Sequence, residues 1–283
     1  MSFIRPYLGN KRQRHCGIML FTQTLGTITY YKYHMKMKKL IVIFLVFLSV
    51  DFNSLAQETS DTLKVLFVGN SYVYVSNIPQ LVSLISDSTH TKLLTAKSVV
   101  AGAKLSQHWR SERGLRTKEL IKIGNFDYVV LQEQSMGTIE QPDSFLIYSK
   151  KFSDYIRQNG AQPYFYLTWA REKVPQYQET ITNVYNKAAK DNNAGIVPVG
   201  ESWVLAQKLR PGIELYLDDG SHQSEFGAFL SACVFVKVLT NELPEKLPNV
   251  YEILDSKGES VWLTYIEKLD ITFCLKVVNK IIE

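Results

Sequence analysis

Along the chain, short runs of apolar residues alternate with longer stretches whose apolar residues recur at helical spacing. A short, wholly apolar run is typical of a strand that is buried on both faces of a parallel sheet. Five strands are predicted, at residues 65–68, 92–100, 127–131, 163–169 and 196–199. The predicted helices lie at residues 78–85, 105–123 with a break near Gly114, 145–160, 177–192, 203–209 with Ser202 as cap, 225–239 and 260–282. This alternation predicts an α/β fold, a three-layer α/β/α sandwich with a parallel sheet of about five strands.

The first predicted strand is followed at once by a small hydroxyl residue. Gly69, Asn70 and Ser71 come directly after the apolar run, and Pro79 stands at the start of the next helix. Open α/β sheets bind ligands beyond the carboxyl ends of their strands, so Ser71 lies where a functional side chain is expected. The alternative is that Gly69, Asn70 and Ser71 form only a turn.

The composition is that of a globular protein with one sizeable core. The chain has 283 residues, of which 46% are hydrophobic and 21% charged. Its formal net charge of +5 comes from residues 1–56, which carry eight Lys/Arg and one Asp. Taking these from the totals of 32 basic and 27 acidic side chains leaves 24 and 26, a net charge of −2. No nucleic-acid partner is therefore expected.

Residues 35–56 have the pattern of a secretory signal peptide. A basic segment at 35–39 precedes an apolar region of 11 residues at 40–50, and Ser54 and Ala56 are the small residues of a cleavage site. We expect cleavage after Ala56, which would make the protein secreted or periplasmic and leave no stable membrane span. The alternative is that the segment stays uncleaved as a membrane anchor. Residues 1–34 are expected to be a disordered upstream extension, and residues 61–283 to form the folded domain.

The cysteines indicate neither a disulfide framework nor a metal site. Cys16 falls in the leader, and Cys233 and Cys274 lie in apolar helical patterns, where buried free thiols are the default. One disulfide between these two is the alternative in an oxidising compartment. No CxxC or HExxH spacing is present, so no metal and no organic cofactor is expected.

Four polar positions follow strands or precede a helix. They are Ser71, Gly102, one of the two glutamines at 132 and 134, and the segment 219–222 with its Asp and His. Parallel strands bring their carboxyl ends to one edge, so the first three positions are expected to converge. A serine needs an imidazole to take its proton, and the imidazole needs a carboxylate to orient it. The backbone amides of Ser71 and Gly102 and a glutamine side chain are candidate oxyanion donors.

These motifs resemble the SGNH/GDSL hydrolase superfamily. The resemblance rests on GNSY after the first strand, Gly102 after the second and the D-x-x-H pattern before a late helix, and it covers residues 63–239. It implies a flavodoxin-like SGNH hydrolase fold with Ser71 as nucleophile, His222 as general base and Asp219 as its partner. Gly102 matches the oxyanion glycine. VVLQEQS replaces the usual third block, which makes Gln134 the first choice and Gln132 the second choice for the third donor.

Several of these residues have simpler interpretations. His222 could be a polar loop residue, and Asp218 could replace Asp219 as its partner. His108 is expected at the surface or as a helix cap, and lining the pocket is the alternative. Arg171 is expected in a surface ion pair, and binding an acidic substituent is the alternative. Trp169 and Tyr72 are candidate substrate-binding residues, although core or rim packing is the more frequent role of such aromatics.

The predicted function is a secreted serine esterase that hydrolyses acetyl or other short acyl esters, on a small molecule or a glycan. The preference for carbohydrate rests on the leader and on the resemblance, not on a particular residue. A lipase or thioesterase with the same three residues is one alternative. A glycan-binding protein of the same fold that has lost turnover is the other.

Overall fold

The computed structural model describes residues 61–282. The strands are β1 Thr62–Gly69, β2 Lys92–Val99, β3 Tyr128–Leu131, β4 Gln162–Tyr166, β5 Gly195–Val197, β6 Val250–Leu254 and β7 Ser260–Tyr265. The α-helices are α1 Ser71–Tyr74, α2 Ile78–Ser86, α3 Leu105–Arg110, α4 Thr117–Ile123, α5 Gly137–Glu140, α6 Pro142–Gln158, α7 Gln178–Asp191, α8 Val199–Leu209, α9 Glu225–Thr240 and α10 Lys268–Ile281. Single 3-10 turns lie at Val75–Asn77, Glu112–Gly114 and Pro175–Tyr177.

Strands β1 to β5 form one parallel sheet in the order β2-β1-β3-β4-β5. In β1, Phe67 lies opposite Lys97 of β2 and Val130 of β3. Residues 65–68 are fully buried, because β1 has a strand on each side and helices over both faces. The predicted parallel sheet of about five strands is confirmed.

Helices cover both faces of this sheet. Successive strand residues point to opposite faces, so Val65 and Phe67 pack into one core and Leu66 and Val68 into the other. The first core also contains residues of α2, α8, α9 and α10, and the second contains residues of α3, α4, α6 and α7. The predicted three-layer α/β/α sandwich is therefore confirmed.

The carboxyl ends of β1 and β3 form a crevice. The chain leaves β1 towards β2 on one side, whereas β3 and the later strands lie on the other side. Such a reversal of strand order is where open α/β sheets bind their ligands. Ser71 follows β1 and Gln132 follows β3, and the Gln132 amide donates to the Val68 carbonyl at 2.9 Å. The fold thus places Ser71 at this crevice.

The prediction of one helix over residues 260–282 is wrong in its first part. Ser260–Tyr265 is strand β7, which pairs antiparallel with β6, and α10 begins only at Lys268. The turn before β7 is fixed by Asp255, whose Oδ1 accepts from the amides of Lys257 and Glu259 at 2.8 and 2.9 Å. Val, Trp, Thr and Tyr favour a strand, and partner strand β6 lies just upstream.

Ser202 does not cap a helix, contrary to the prediction. Helix α8 already begins at Val199, and the Ser202 hydroxyl donates to the Val199 carbonyl at 2.7 Å. The predicted fifth strand, residues 196–199, extends too far and includes the first residue of α8, because β5 ends at Val197. The break predicted near Gly114 is confirmed, since it separates α3 from α4.

Cys233 and Cys274 are buried free thiols, and no disulfide joins them. Burial raises the pKa of both thiols. Within residues 61–282, none of the helices combines the length and the apolar character that crossing a bilayer requires. The upstream extension predicted over residues 1–34 and the signal peptide predicted over 35–56 lie outside the described residues.

Candidate active site

Asn70 fixes the turn on which Ser71 lies. Its side chain caps α1 by accepting from the Tyr72 amide at 3.1 Å. Its backbone amide donates to Gln132 Oε1 at 3.0 Å, and its Nδ2 donates to the Ala103 carbonyl at 3.0 Å. This buried residue therefore joins the loops that follow β1, β2 and β3. This role was not predicted from the sequence, although an asparagine directly before a helix is the usual signal of a cap.

The structure brings Ser71, His222 and Asp219 together. Ser71 Oγ lies 2.8 Å from His222 Nε2, and His222 Nδ1 lies 2.5 Å from Asp219 Oδ2. A carboxylate only accepts hydrogen bonds, so Nδ1 carries the hydrogen of the neutral ring and Nε2 accepts from the Ser71 hydroxyl. This arrangement prepares a serine for nucleophilic attack. Asp218, the alternative partner, is an exposed residue, and both ring nitrogens are occupied without it.

The loop that carries Asp219 is ordered by the same carboxylate. Asp219 Oδ1 accepts from the amides of Ser221 and His222 at 2.9 Å each. Gly220 adopts φ +64°, a conformation that favours glycine and allows the chain to fold back on the carboxylate. Partial burial alone would raise the pKa of Asp219, but hydrogen bonds from the His222 ring and the two amides lower it to about 2. The carboxylate facing His222 is therefore ionised at neutral pH.

The loop is held against the nucleophile turn by buried polar contacts. Gln223 Nε2 donates to the Val75 carbonyl at 2.6 Å, and Trp169 Nε1 donates to the Ser221 carbonyl at 2.9 Å. The Tyr72 hydroxyl lies 2.8 Å from Ser221 Oγ. The Tyr72 ring also meets the His222 ring edge-on, with 5.7 Å between centroids. These contacts fix the position of His222 relative to Ser71, although the two residues are 151 positions apart.

Two predicted oxyanion donors are backbone amides at this edge. The Ser71 amide opens α1, and Gly102 lies in the exposed turn after β2 with φ +64°. Within residues 61–282, neither amide donates to an acceptor of the protein. The Asn70 side chain donates a hydrogen bond to the Ala103 carbonyl, which connects the Gly102 turn to the nucleophile turn. Both amides are thus available to an oxygen that develops charge near Ser71.

The two glutamines proposed for the third donor are engaged within their own loop. Gln132 is fully buried, and its side chain contacts the Asn70 amide through Oε1 and the Glu133 carbonyl through Nε2. Gln134 is half-buried; its Oε1 accepts from the Met136 amide at 3.0 Å and its Nε2 donates to Ser135 Oγ at 3.3 Å. Gln132 therefore has a structural role, and the assignment of Gln134 as third donor stays a prediction.

Trp169 and Tyr72 do not offer a ring face to a ligand. Trp169 is 1% exposed and lies between Tyr72, at 4.7 Å between ring centroids, and Trp203, at 3.9 Å. Tyr72 is 2% exposed. The prediction that Trp169 and Tyr72 bind substrate is corrected by this burial: the two rings have the packing role that was the alternative. A strand-end aromatic gives no sequence signal that separates the two roles.

His108 is buried beneath the nucleophile turn, not at the surface as predicted. Its Nε2 donates to the Gly69 carbonyl at 2.9 Å, because a carbonyl only accepts, and its Nδ1 accepts from the Thr117 hydroxyl at 2.7 Å. Burial lowers the pKa of His108 to about 4, so the ring is neutral at pH 7. His108 thus holds the end of β1 two residues before Ser71.

Glu133 is a buried carboxyl group in the loop after β3. It is 4% exposed, and its oxygens accept from the amides of Gln134 at 2.7 Å and Leu105 at 3.3 Å. Burial raises its pKa from 4.5 to about 7, although these two amides and the charge of Lys104 act in the opposite direction. A carboxyl group that is more readily protonated in the folded than in the unfolded chain makes stability depend on pH.

Glu133 is expected to contribute less to stability as the pH rises from about 4.5 to 7, because the folded chain then binds at this group a proton that the unfolded chain has released. The lowered pKa of His108 acts in the opposite direction between about pH 4 and 6.5, so the contribution of Glu133 is read from the difference between wild type and variant. The contribution of Glu133 is at most about 3 kcal/mol. Relative to wild type, the free energy of unfolding of Glu133→Gln by denaturant should rise between pH 5 and 8, because the variant lacks the loss that Glu133 causes. Glu119→Gln removes an exposed carboxylate whose pKa is lowered by Arg116, and its difference from wild type should not change over this range. An unchanged slope in Glu133→Gln would contradict the assignment.

Comparison with known proteins gives similarity in structure only. No protein-family model matches the chain, and no curated protein matches it. A protein from Slackia heliotrinireducens, described as a candidate SGNH hydrolase, is 23% identical with a TM-score of 0.54; the match covers 63% of this chain and 100% of that one. A DUF4886 family protein from Bacteroides uniformis is 19% identical with a TM-score of 0.61, over 78% of this chain and 95% of that one. At these identities the similarity establishes a shared fold.

Proposed function

We propose that this chain, which has the fold of the SGNH hydrolases, is a serine hydrolase that cleaves carboxylic esters. The observation that carries the proposal is the hydrogen-bonded series Ser71, His222, Asp219, with 2.8 Å and 2.5 Å between the paired atoms. The series lies at the crevice between the ends of β1 and β3, where a fold of this type binds ligands. A hydroxyl, a correctly oriented imidazole and an ionised carboxylate are the groups that acyl transfer through serine requires.

The mechanism follows from these contacts. Ser71 Oγ attacks the ester carbonyl as its proton passes to His222 Nε2, and Asp219 stabilises the imidazolium. The amides of Ser71 and Gly102, with Gln134 as the third donor, stabilise the negative oxygen. His222 then gives the proton to the leaving alcohol, which leaves an acyl group on Ser71. A water molecule deprotonated by His222 releases this group as a carboxylic acid and restores the free serine.

For the substrate we propose acetyl or other short acyl esters on carbohydrate, handled by an exported enzyme. The support for export is the signal-peptide pattern of residues 35–56. The support for a short acyl group comes from the two aromatic residues near Ser71. The side chains of Tyr72 and Trp169 are packed against each other. They leave no apolar ring surface for a long acyl chain at this point of the crevice.

Covalent labelling with a fluorophosphonate tests the proposal directly, because only an activated serine reacts. The purified chain should gain the mass of one phosphonyl group, and peptide mapping should place it on Ser71. Ser71→Ala should not react. Ser221→Ala removes a hydroxyl of the same crevice that takes no part in the proton transfer, and it should still be labelled. Absence of labelling in the folded wild-type chain would instead favour a binding protein that has lost turnover.

A further inference from the structure

Arg171 presents a guanidinium at the edge of the candidate active site. It is an exposed residue in the loop after β4, and its Nη2 donates to Ser135 Oγ at 2.8 Å. The Tyr72 phenol lies beside the guanidinium, and no carboxylate within residues 61–282 forms an ion pair with it. The prediction of a surface ion pair for Arg171 is therefore wrong. An oriented but unneutralised guanidinium is suited to bind an anion from outside the protein.

The position of Arg171 connects it to the nucleophile. The Tyr72 phenol, which hydrogen-bonds Ser221, also lies close to Ser135 and to the Arg171 guanidinium. Burial raises the pKa of Tyr72, and these neighbours lower it in part. Tyr72 directly follows Ser71, and its ring edge contacts His222. The Tyr72 side chain therefore links the two groups: its phenol lies beside Arg171 and its ring contacts His222.

Nearby acidic groups do not neutralise Arg171. Glu172 lies against Gly220: its Oε2 faces that glycine, and its backbone amide donates to the Gly220 carbonyl at 2.9 Å. Glu133 is buried and its oxygens are occupied by backbone amides. Asp219 is engaged with His222. The positive charge at Arg171 is thus available at the mouth of the crevice.

We propose that Arg171, oriented by Ser135, is an anion-binding subsite that receives a carboxylate group carried by the ester substrate. The proposal rests on the proposed esterase function and adds the chemical class of the substrate. The planar fork of the guanidinium matches the two oxygens of a carboxylate, and a charge-assisted pair of this kind is stronger than a neutral hydrogen bond. The carboxylate belongs either to the acyl part or to the alcohol part of the ester.

Two matched pairs of substrates test this subsite and separate the two sources. p-Nitrophenyl hemisuccinate and p-nitrophenyl butyrate have acyl groups of similar length, with and without a carboxylate. Methyl glucuronoside and methyl glucoside, each acetylated at one hydroxyl, differ by a carboxylate on the alcohol side. In one pair, wild-type kcat/KM should favour the carboxylate-bearing ester, and Arg171→Gln should reduce this preference about tenfold, mainly through KM. Arg171→Lys should restore part of the preference, since it keeps the charge but not the fork.

Lys173→Gln is the matched control, because it removes an exposed positive charge from the same loop. Lys173→Gln should leave the preference for the carboxylate-bearing ester unchanged. An equal loss of this preference in Lys173→Gln and Arg171→Gln would mean that any positive charge in the loop has the same effect, and it would overturn the subsite. An equal preference in wild type and Arg171→Gln would also overturn it.

Failure of the esterase function is distinguishable from failure of the subsite. If wild type hydrolyses none of the four esters, binding of succinate and of methyl glucuronoside, with methyl glucoside as the neutral reference, is measured by calorimetry. Weaker binding of an acid by Arg171→Gln than by Lys173→Gln would support the subsite without the enzyme activity. Equal binding by the two variants would overturn it.

Discussion

Replacing Ser71 with alanine is expected to reduce hydrolysis of p-nitrophenyl acetate by about 10⁴-fold or more. The substitution removes the oxygen that forms the acyl intermediate, and His222 Nε2 loses its partner at 2.8 Å. The measurement is kcat for purified wild-type and Ser71→Ala chains under identical conditions.

The fold should not change in this variant. Ser71 is half-buried at the start of α1, and its hydroxyl contacts only the His222 ring within the described residues. The free energy of unfolding is therefore expected to change by about 0.5 kcal/mol or less. Equal turnover by wild type and by a folded Ser71→Ala chain would exclude Ser71 as the nucleophile.

Replacing Asp219 with asparagine is expected to reduce kcat by about 10³- to 10⁴-fold. The asparagine amide would donate to His222 Nδ1, which forces the ring hydrogen onto Nε2. In that tautomer Nε2 carries the hydrogen, so it cannot accept the proton of the Ser71 hydroxyl. The comparison is kcat for wild type, Asp219→Asn and the control Asp218→Asn, which removes the adjacent exposed carboxylate.

Asp218→Asn should retain nearly full activity, because Asp219 and not Asp218 is the carboxylate that hydrogen-bonds the His222 ring. The double variant Ser71→Ala/Asp219→Asn should be no less active than Ser71→Ala, because residues that act as one unit are not additive. A further large loss in the double variant would mean that the two residues act independently. The Asp219 carboxylate has a pKa of about 2, so its own protonation should not limit the rate between pH 4 and 8.

The local signals in the sequence identified the strands and the residues that the structure brings together at the crevice. The wholly apolar run at 65–68 predicts a strand that is buried on both faces, and these four residues of β1 are fully buried. The D-x-x-H spacing predicts that Asp219 can orient His222 within one turn of chain. In the structure, Asp219 Oδ2 lies 2.5 Å from His222 Nδ1. Both inferences need only the conformational preferences of a few neighbouring residues.

The hairpin shows where such local signals are insufficient. Alternating apolar residues at 261 and 263 fit the edge of a helical pattern as well as a strand. What decided in favour of β7 was its partner, β6, together with the Asp255 turn between them. A strand is stabilised by hydrogen bonds to another segment, so its prediction depends on a neighbour that periodicity does not reveal.

Apolar periodicity and strand ends are local properties, so the fold class and the residue types at the carboxyl edge of the sheet could be predicted from the sequence. Which polar groups face the crevice depends on tertiary contacts. Gln132 was a candidate donor, yet it is buried against Asn70, and Trp169 was a candidate ligand platform, yet it lies between two rings. Arg171 was expected in an ion pair, yet within residues 61–282 it has none and donates to the Ser135 hydroxyl. Burial and partners are set by segments distant in the chain, and they determine what each side chain can do.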